Sequence, residues 1–213
     1  MRAAVDIYLL RHGLTDANAS GTIQGHQPTP LNAAGRLQAA QLAARFGPGG
    51  IAVDVLVSSD LCRARETAEV VASRAGVPLT LDAAWRERGL GSWEGQRVGE
   101  LGIWQAATSS EDPPGAETAA AFAARVRAAL ATLPERFRDA RAIGVVTHGG
   151  AIRTLLRMLA AAELPAEGPV PLVATVANCS ILHLVLHGAR GRFQVLAVND
   201  VAHLVVASSA DVG

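Results

Sequence analysis

Two strand ends in this sequence look alike. Leu9-Leu10 leads into Arg11-His12-Gly13, and Val145-Val146-Thr147 leads into His148-Gly149-Gly150. Each places an imidazole at the carboxyl edge of a strand, where open α/β sheets bind ligands, followed by glycine that lets backbone approach a ligand closely. A helix begins at once after His148, and its unpaired N–H groups favour an anion there. Arg63 follows Ser58-Ser59-Asp60, again just past a strand. Alone it reads as a surface arginine paired with Glu66 or Glu69, but a cation in a first helical turn opposes the helix dipole, which an external anion would offset. Arg11, Arg63, two imidazoles and a helix N-terminus make an anion pocket, and the planar guanidinium fork suits phosphate. Glu87, in Trp85-Arg86-Glu87-Arg88, stands at the mouth of an irregular stretch. In an anion pocket it is positioned to be the proton donor that a leaving ester oxygen needs.

The elements that must position these residues alternate. Residues 5–10 read as a strand apolar on both faces, as in a sheet covered on each side. A helix is expected over 33–46 with Asn32 as N-cap, then a strand over 53–58. Asp60 is the expected cap of a helix running to about residue 75, closed by Gly76 with Pro78 beyond. A short strand is expected over 78–81 and a short helix near 98–104. A long amphipathic helix spans 117–138, on the spacing of Phe122, Val126, Leu130, Leu133 and Phe137. Residues 142–147 form a further strand, followed by a helix to about residue 162. Strands near 179–187 and 193–199 form a hairpin across Gly188–Gly191. This pattern describes an α/β fold: a three-layer α/β/α sandwich with a mixed, mostly parallel sheet and a small irregular lid subdomain. A single domain over 1–213 is expected, with the lid inserted at about 89–115.

Composition removes several classes. Half of the 213 residues are apolar and the formal net charge is zero, with no dense basic tract. That argues for a globular chain and against a nucleic-acid surface or polybasic membrane patch. Cys62 and Cys179 form no C-x-x-C pair, and a reducing cytoplasmic compartment is the simplest expectation. Asp6 and Arg11 interrupt the early apolar run, so it reads neither as a leader nor as a span. No H-E-x-x-H and no Cys/His cluster is present, and the chain contains no lysine, which excludes a Walker loop. Ser59 and Ser180 lack the G-x-S-x-G elbow.

Taken in order, the motifs resemble the histidine phosphatase superfamily, whose members include the cofactor-dependent phosphoglycerate mutases and many small phosphatases. Arg11-His12-Gly13-Leu14-Thr15 with Asn18 resembles the family's R-H-G-E-T opening. Gln24, Gly25, Pro30, Leu31, Gly35, Gln38 and Ala39 match its next block, and "SSDLCRARETA" aligns Arg63. "ERGLGSWEG" aligns Glu87, "PPGAET" matches a P-G-G-E-S loop, and "VVTHGGAIR" carries the second histidine. "NCSILHL" and "VNDVAHL" resemble the tail of the alpha-ribazole and broad-specificity phosphatase branches.

The resemblance implies a phosphomonoesterase in which His12 attacks phosphorus and becomes phosphorylated, and Glu87 acts as acid and then base. Arg11, Asn18, Arg63 and His148 would hold the phosphoryl oxygens, with the Gly149 N–H, and Gln24 and Gly25 would complete the substrate pocket. No metal and no cofactor is required, and the expected partner is a small-molecule phosphate ester. Nucleic acid and membrane are not expected partners, and a homodimer is compatible with the resemblance. Leu14 and Pro28 stand where the family usually has Glu or Gln and Asp, which implies altered support around the pocket. Only 25 residues (88–112) separate Glu87 from Pro113, too few for the lid of a mutase. Phosphoglycerate mutase chemistry, a non-catalytic phospholigand module and a metal-dependent phosphatase are the competing readings.

Overall fold

The computed structural model describes residues 4–98, 112–188 and 191–204. Its strands are β1 (Val5–Arg11), β2 (Val55–Ser58), β3 (Leu79–Leu81), β4 (Ala142–Thr147), β5 (Ala166–Glu167), β6 (Ile181–His187) and β7 (Arg192–Asp200). They form one sheet in the order β3-β2-β4-β1-β6-β7-β5. Strands β3, β2, β4 and β1 run parallel, β6 pairs antiparallel with both β1 and β7, and β5 returns parallel to β7. The sheet is therefore mixed and mostly parallel, as the alternation of elements predicts.

Side chains alternate across the strands, and each set is buried under a pair of helices. On one face Ile7, Leu9, Val57, Ile143 and Val145 pack with Phe122, Val126, Leu130, Ile152 and Leu155. Those last residues come from α4 (Ala119–Arg136) and α5 (Gly149–Ala160). On the other face Leu10, Leu56 and Val146 pack with Leu42, Phe46, Ala68 and Val71, from α2 (Ala33–Ala43), the turn after it, and α3 (Cys62–Ala75). Double-sided burial of this kind is why the strands read as near-continuous apolar runs.

Several expectations shift at element ends. Asp60 does not cap α3: the cap position is Leu61, with no side-chain hydrogen bond. The Asp60 carboxylate instead takes Arg86 Nε at 2.6 Å and Nη2 at 2.5 Å, because a bidentate arginine satisfies both oxygens at once. Helix α2 ends at Ala43 rather than 46, since its last turn tightens through Arg45 N–H to the Leu42 carbonyl and Phe46 N–H to that of Ala43. The long helix begins at Ala119, behind a Thr118 cap whose side chain accepts from the Ala121 N–H. A four-residue helix α1 (Asp16–Ala19) and strand β5 were not anticipated; α1 is held by a capping box between Thr15 and Asn18. Residues 99–104 of the expected short helix, with Trp104, and the middle of the expected lid, 99–111, lie outside the described residues.

Candidate active site

Strands β1 and β4 are in parallel register with Arg11 opposite Thr147. The residue that follows each strand is therefore delivered to the same place, and these are His12 and His148. Their ring centroids lie 5.1 Å apart at 57°. The His12 N–H donates to the Thr147 carbonyl, which fixes the first loop to the end of β4. Both imidazoles are buried, at 3% and 0% exposure. Burial pushes both well below the usual histidine range, and the Arg11 and Arg63 guanidiniums reinforce the shift at each ring. Both rings are thus neutral at neutral pH. His12 Nδ1 lies 2.7 Å from the Gly13 carbonyl, which can only accept. The proton of the neutral ring therefore sits on Nδ1, and the lone pair is on Nε2.

Arg11 ends β1 and donates through Nη1 to the Val176 carbonyl. Burial pulls its guanidinium down to about 10, against the opposing pull of Glu87, and it remains a cation at neutral pH. Arg63, at 1% exposure, is not paired with Glu66 or Glu69. Its Nη2 donates to the Gly25 carbonyl at 2.8 Å, and its Nη1 to the Gln27 carbonyl and Thr29 hydroxyl, both at 3.2 Å. Glu66 instead accepts from the Leu31 N–H, and Glu69 pairs with Arg65. Three buried nitrogens around the histidine pair have no protein hydrogen-bond partner: Arg11 Nε, Arg63 Nε and His148 Nδ1. A buried donor without an acceptor costs about 1–3 kcal/mol. Two unpartnered guanidinium N–H groups and a ring nitrogen side by side are able to hold an oxyanion.

Glu87 reaches the same place from the segment after β3. Its Oε2 accepts from the Gly150 N–H and its Oε1 from the Arg88 N–H, each at 2.9 Å. A side chain at position 150 would run into Glu87 Oε1, so the close approach of carboxyl to helix requires glycine there. The segment carrying Glu87 is fastened by Arg125 of α4, which sequence reasoning missed. Arg125 uses all five N–H donors: Nε and Nη2 on the two Glu117 carboxylate oxygens, Nη1 on the Ala84 and Arg86 carbonyls, and Nη2 again on the Glu87 carbonyl. His26 Nε2 adds a contact to the Glu87 carbonyl at 2.8 Å, and Thr147 Oγ donates to the Trp85 carbonyl.

The remaining expected residues fall into two groups. Asn18 lines the cleft; its Oδ1 faces the Thr15 N–H and hydroxyl and Asn178 Nδ2, which leaves its amide NH2 for the cleft. Gly149 starts α5 against Arg11 Nε. Gln24 and Gly25 also border the cleft, but their oxygens are spent inside the protein. Gln24 Oε1 takes the Thr29 hydroxyl and shares that of Thr15 with Asn18 Oδ1, and the Gly25 carbonyl takes Arg63. Ser59, whose hydroxyl lies 2.8 Å from His148 Nε2, and Asn178, which donates to the His12 and Gly13 carbonyls, were also missed. Their signal was local: Ser59 is the first residue past β2, and Asn178 opens the "NCSILHL" block.

Leu14 is held by its backbone, with its N–H on Gln38 Oε1 and its carbonyl on the Asn32 N–H. The loop geometry therefore does not depend on a polar side chain there. Pro28 is exposed at the surface. Among the described residues no group of three or more His, Cys, Asp or Glu could hold a metal ion, and no helix is long and apolar enough to cross a membrane. The cleft has a volume of about 560 Å³.

Three comparisons place this geometry. The "Probable phosphoglycerate mutase GpmB" of Salmonella paratyphi B is 33% identical over 211 residues, covering 94% of this chain and 95% of that protein. A mycobacterial glucosyl-3-phosphoglycerate phosphatase, solved with VO3, is 29% identical with a TM-score of 0.74, over 92% of this chain and 99% of its own. The alpha-ribazole phosphatase of Shigella flexneri is 25% identical with a TM-score of 0.76, over 92% of this chain and 96% of its own. The family profile of the histidine phosphatase superfamily (branch 1) matches residues 7–201, nearly the whole sheet and every residue of the cleft described above. With its paired histidines on adjacent strand ends, this chain belongs to the histidine phosphatase superfamily.

Proposed function

We propose that the protein is a phosphomonoester hydrolase that forms a covalent phosphohistidine on His12, acting on a small phosphorylated metabolite without a metal or other cofactor. The observation that carries this reading is the state of His12: buried, neutral, with Nδ1 tied to the Gly13 carbonyl and the Nε2 lone pair left to attack. A phosphoryl group would supply acceptors for Arg11 Nε, Arg63 Nε and His148 Nδ1, and for the Asn18 amide. As the Nε2–P bond forms and the P–O ester bond breaks, the Glu87 carboxyl gives its proton to the leaving oxygen, releasing the alcohol. Water then attacks phosphorus, Glu87 recovers the proton, and the P–N bond breaks to release phosphate and restore His12.

Hydrolysis is favoured over mutase chemistry because only 25 residues (88–112) separate Glu87 from Pro113, little chain with which to keep water from the phosphohistidine. Relatives named for both reactions are similar to this chain, so the two are separated by experiment. Rapid acid quench with a labelled phosphate ester is expected to trap an acid-labile phosphoenzyme, absent in His12→Ala, with phosphate as final product in the presence of EDTA. Turnover persisting in His12→Ala would exclude the covalent route. Interconversion of 2- and 3-phosphoglycerate without phosphate release would assign the mutase reaction instead.

A further inference from the structure

The cleft is far more cationic than the chain that builds it. Arg11, Arg63, Arg88, Arg153 and Arg157 border it, against two carboxylates, Glu87 and Glu163, in a protein of zero formal net charge. Arg88 is paired with Asp112, and Glu163 is turned to Arg127 at 2.9 Å. Arg11 and Arg63 face the paired histidines and account for a phosphoryl dianion. Arg153 and Arg157 are left over: neither makes an ion pair or hydrogen bond with any described residue.

Their placement is regular. Both lie on α5, four residues apart, so they share one face about 6 Å apart along the axis. Arg153 stands over the first turn of α5, with its Nη1 3.5 Å from where a Gly149 Cβ would be, and its charge bears on Arg11. Arg157 stands a turn further out, about 12 Å along the axis from Gly149, at the solvent end of the same wall. Phe122 and Ala123 of α4 and Met158 of α5 also line the cleft, which gives it an apolar strip beside the two guanidiniums that have no partner among the described residues. The expected lid is sparsely charged, with Glu94, Arg97, Glu100, Glu111 and Asp112, a reading that does not suggest a highly anionic substrate. The α5 wall, which that reading did not consider, points the other way.

We propose that Arg153 and Arg157 form a second anion-binding station, so that the substrate is a phosphomonoester carrying a further oxyanion, a carboxylate or second phosphate, several bonds from the scissile phosphorus. This rests on the hydrolase reading above and adds the substrate class to it. Guanidiniums brought together without carboxylates repel one another, and an arriving oxyanion both relieves that repulsion and takes a bidentate contact. The apolar strip accommodates the carbon chain between the two charged ends.

The test separates the station from the chemistry by using phosphonates, whose P–C bond is not cleaved. Calorimetric affinities are measured for hexylphosphonate, 6-phosphonohexanoate and hexane-1,6-bisphosphonate. The two doubly charged probes are expected to bind about tenfold tighter than hexylphosphonate, the worth of one good charge-assisted contact. Whichever is tighter identifies carboxylate or phosphate as the preferred group. In Arg157→Met, at an exposed position where folding is not at stake, this preference is expected to fall to a ratio near one, and in Arg157→Glu to reverse. A ratio near one in the unmutated protein, or one that survives in both variants, overturns the proposal. Turnover of hexyl phosphate and 6-phosphooxyhexanoate is followed separately. If neither is cleaved the hydrolase reading fails, and the binding ratios still decide the station.

Discussion

Keeping an imidazole uncharged beside two guanidiniums is what the pocket does to His12 and His148. At each ring, burial and the neighbouring cations both favour the neutral form, which is the form the proposed attack by His12 requires. The same depression has a consequence for stability. In the unfolded chain each histidine takes a proton near pH 6.5, whereas in the folded state it stays neutral well below that. Between those two values the unfolded state binds more protons, so stability rises with pH and is lost as pH falls below about 6.5. The slope reaches at most about 1.4 kcal/mol per pH unit for each histidine. Thermal unfolding between pH 8 and 5 is expected to show Tm falling on the acid side, and less steeply in His148→Asn. His203, also lowered chiefly by burial, adds to the fall with the same sign in both proteins. An equal slope in the variant would mean that His148 is not held neutral by the fold.

Among the elements, α4 has a task beyond covering the sheet. Its Arg125 grips three carbonyls of the segment that carries Glu87 and, through Glu117, the loop before the helix. Because Glu87 sits on irregular chain, its carboxyl can be accurate only if that backbone is held from outside. Arg125→Met is therefore expected to resemble Glu87→Gln: a loss of about ten- to hundredfold for alkyl esters, whose leaving oxygen needs the proton, and a smaller loss for nitrophenyl phosphate. Arg125→Lys should recover little, since a point charge cannot reproduce five donors in a fixed fork. Equal losses for both substrates in Arg125→Met would reduce the residue to general stability. The short α1 plays a parallel part on the other side. Its capping box turns Asn18 Oδ1 inward and so points the amide at the cleft.

For the molecule as a whole, three of the five buried nitrogens without a partner among the described residues surround the histidine pair, and an oxyanion bound there is expected to stabilise the folded state. Inorganic phosphate at a hundred times its dissociation constant is expected to add about 2.7 kcal/mol of stability. For a chain of this size that raises Tm by roughly 5–10 °C. The increment should shrink in Arg11→Met, and a Tm indifferent to phosphate would count against an oxyanion site between the histidines. The helix pairs lie on opposite faces of the sheet, and the carboxyl ends of β1, β2 and β4 are where Arg11, Arg63 and the two histidines come together.

What the sequence determined by itself was the local chemistry. Apolar runs that end in Arg11-His12-Gly13 and Thr147-His148-Gly149 name strands, their tips and the groups delivered there, because period and turn residues are short-range properties. The same holds for Asn32 as the cap of α2 and Gly76 at the end of α3, each set by a few neighbouring residues. Asp60 misled because its cap geometry competes with an arginine 26 residues away, a partner no local rule reveals. The register of β1 on β4, which makes His12 and His148 neighbours, depends on pairing across more than a hundred residues, and the seating of Glu87 on Gly150 spans 63. Arg125 and the α5 wall of Arg153 and Arg157 looked like ordinary helix-surface arginines in the sequence. Which way a helix turns its cations is decided by the face it buries, and that became fixed only when α4 and α5 packed on the sheet.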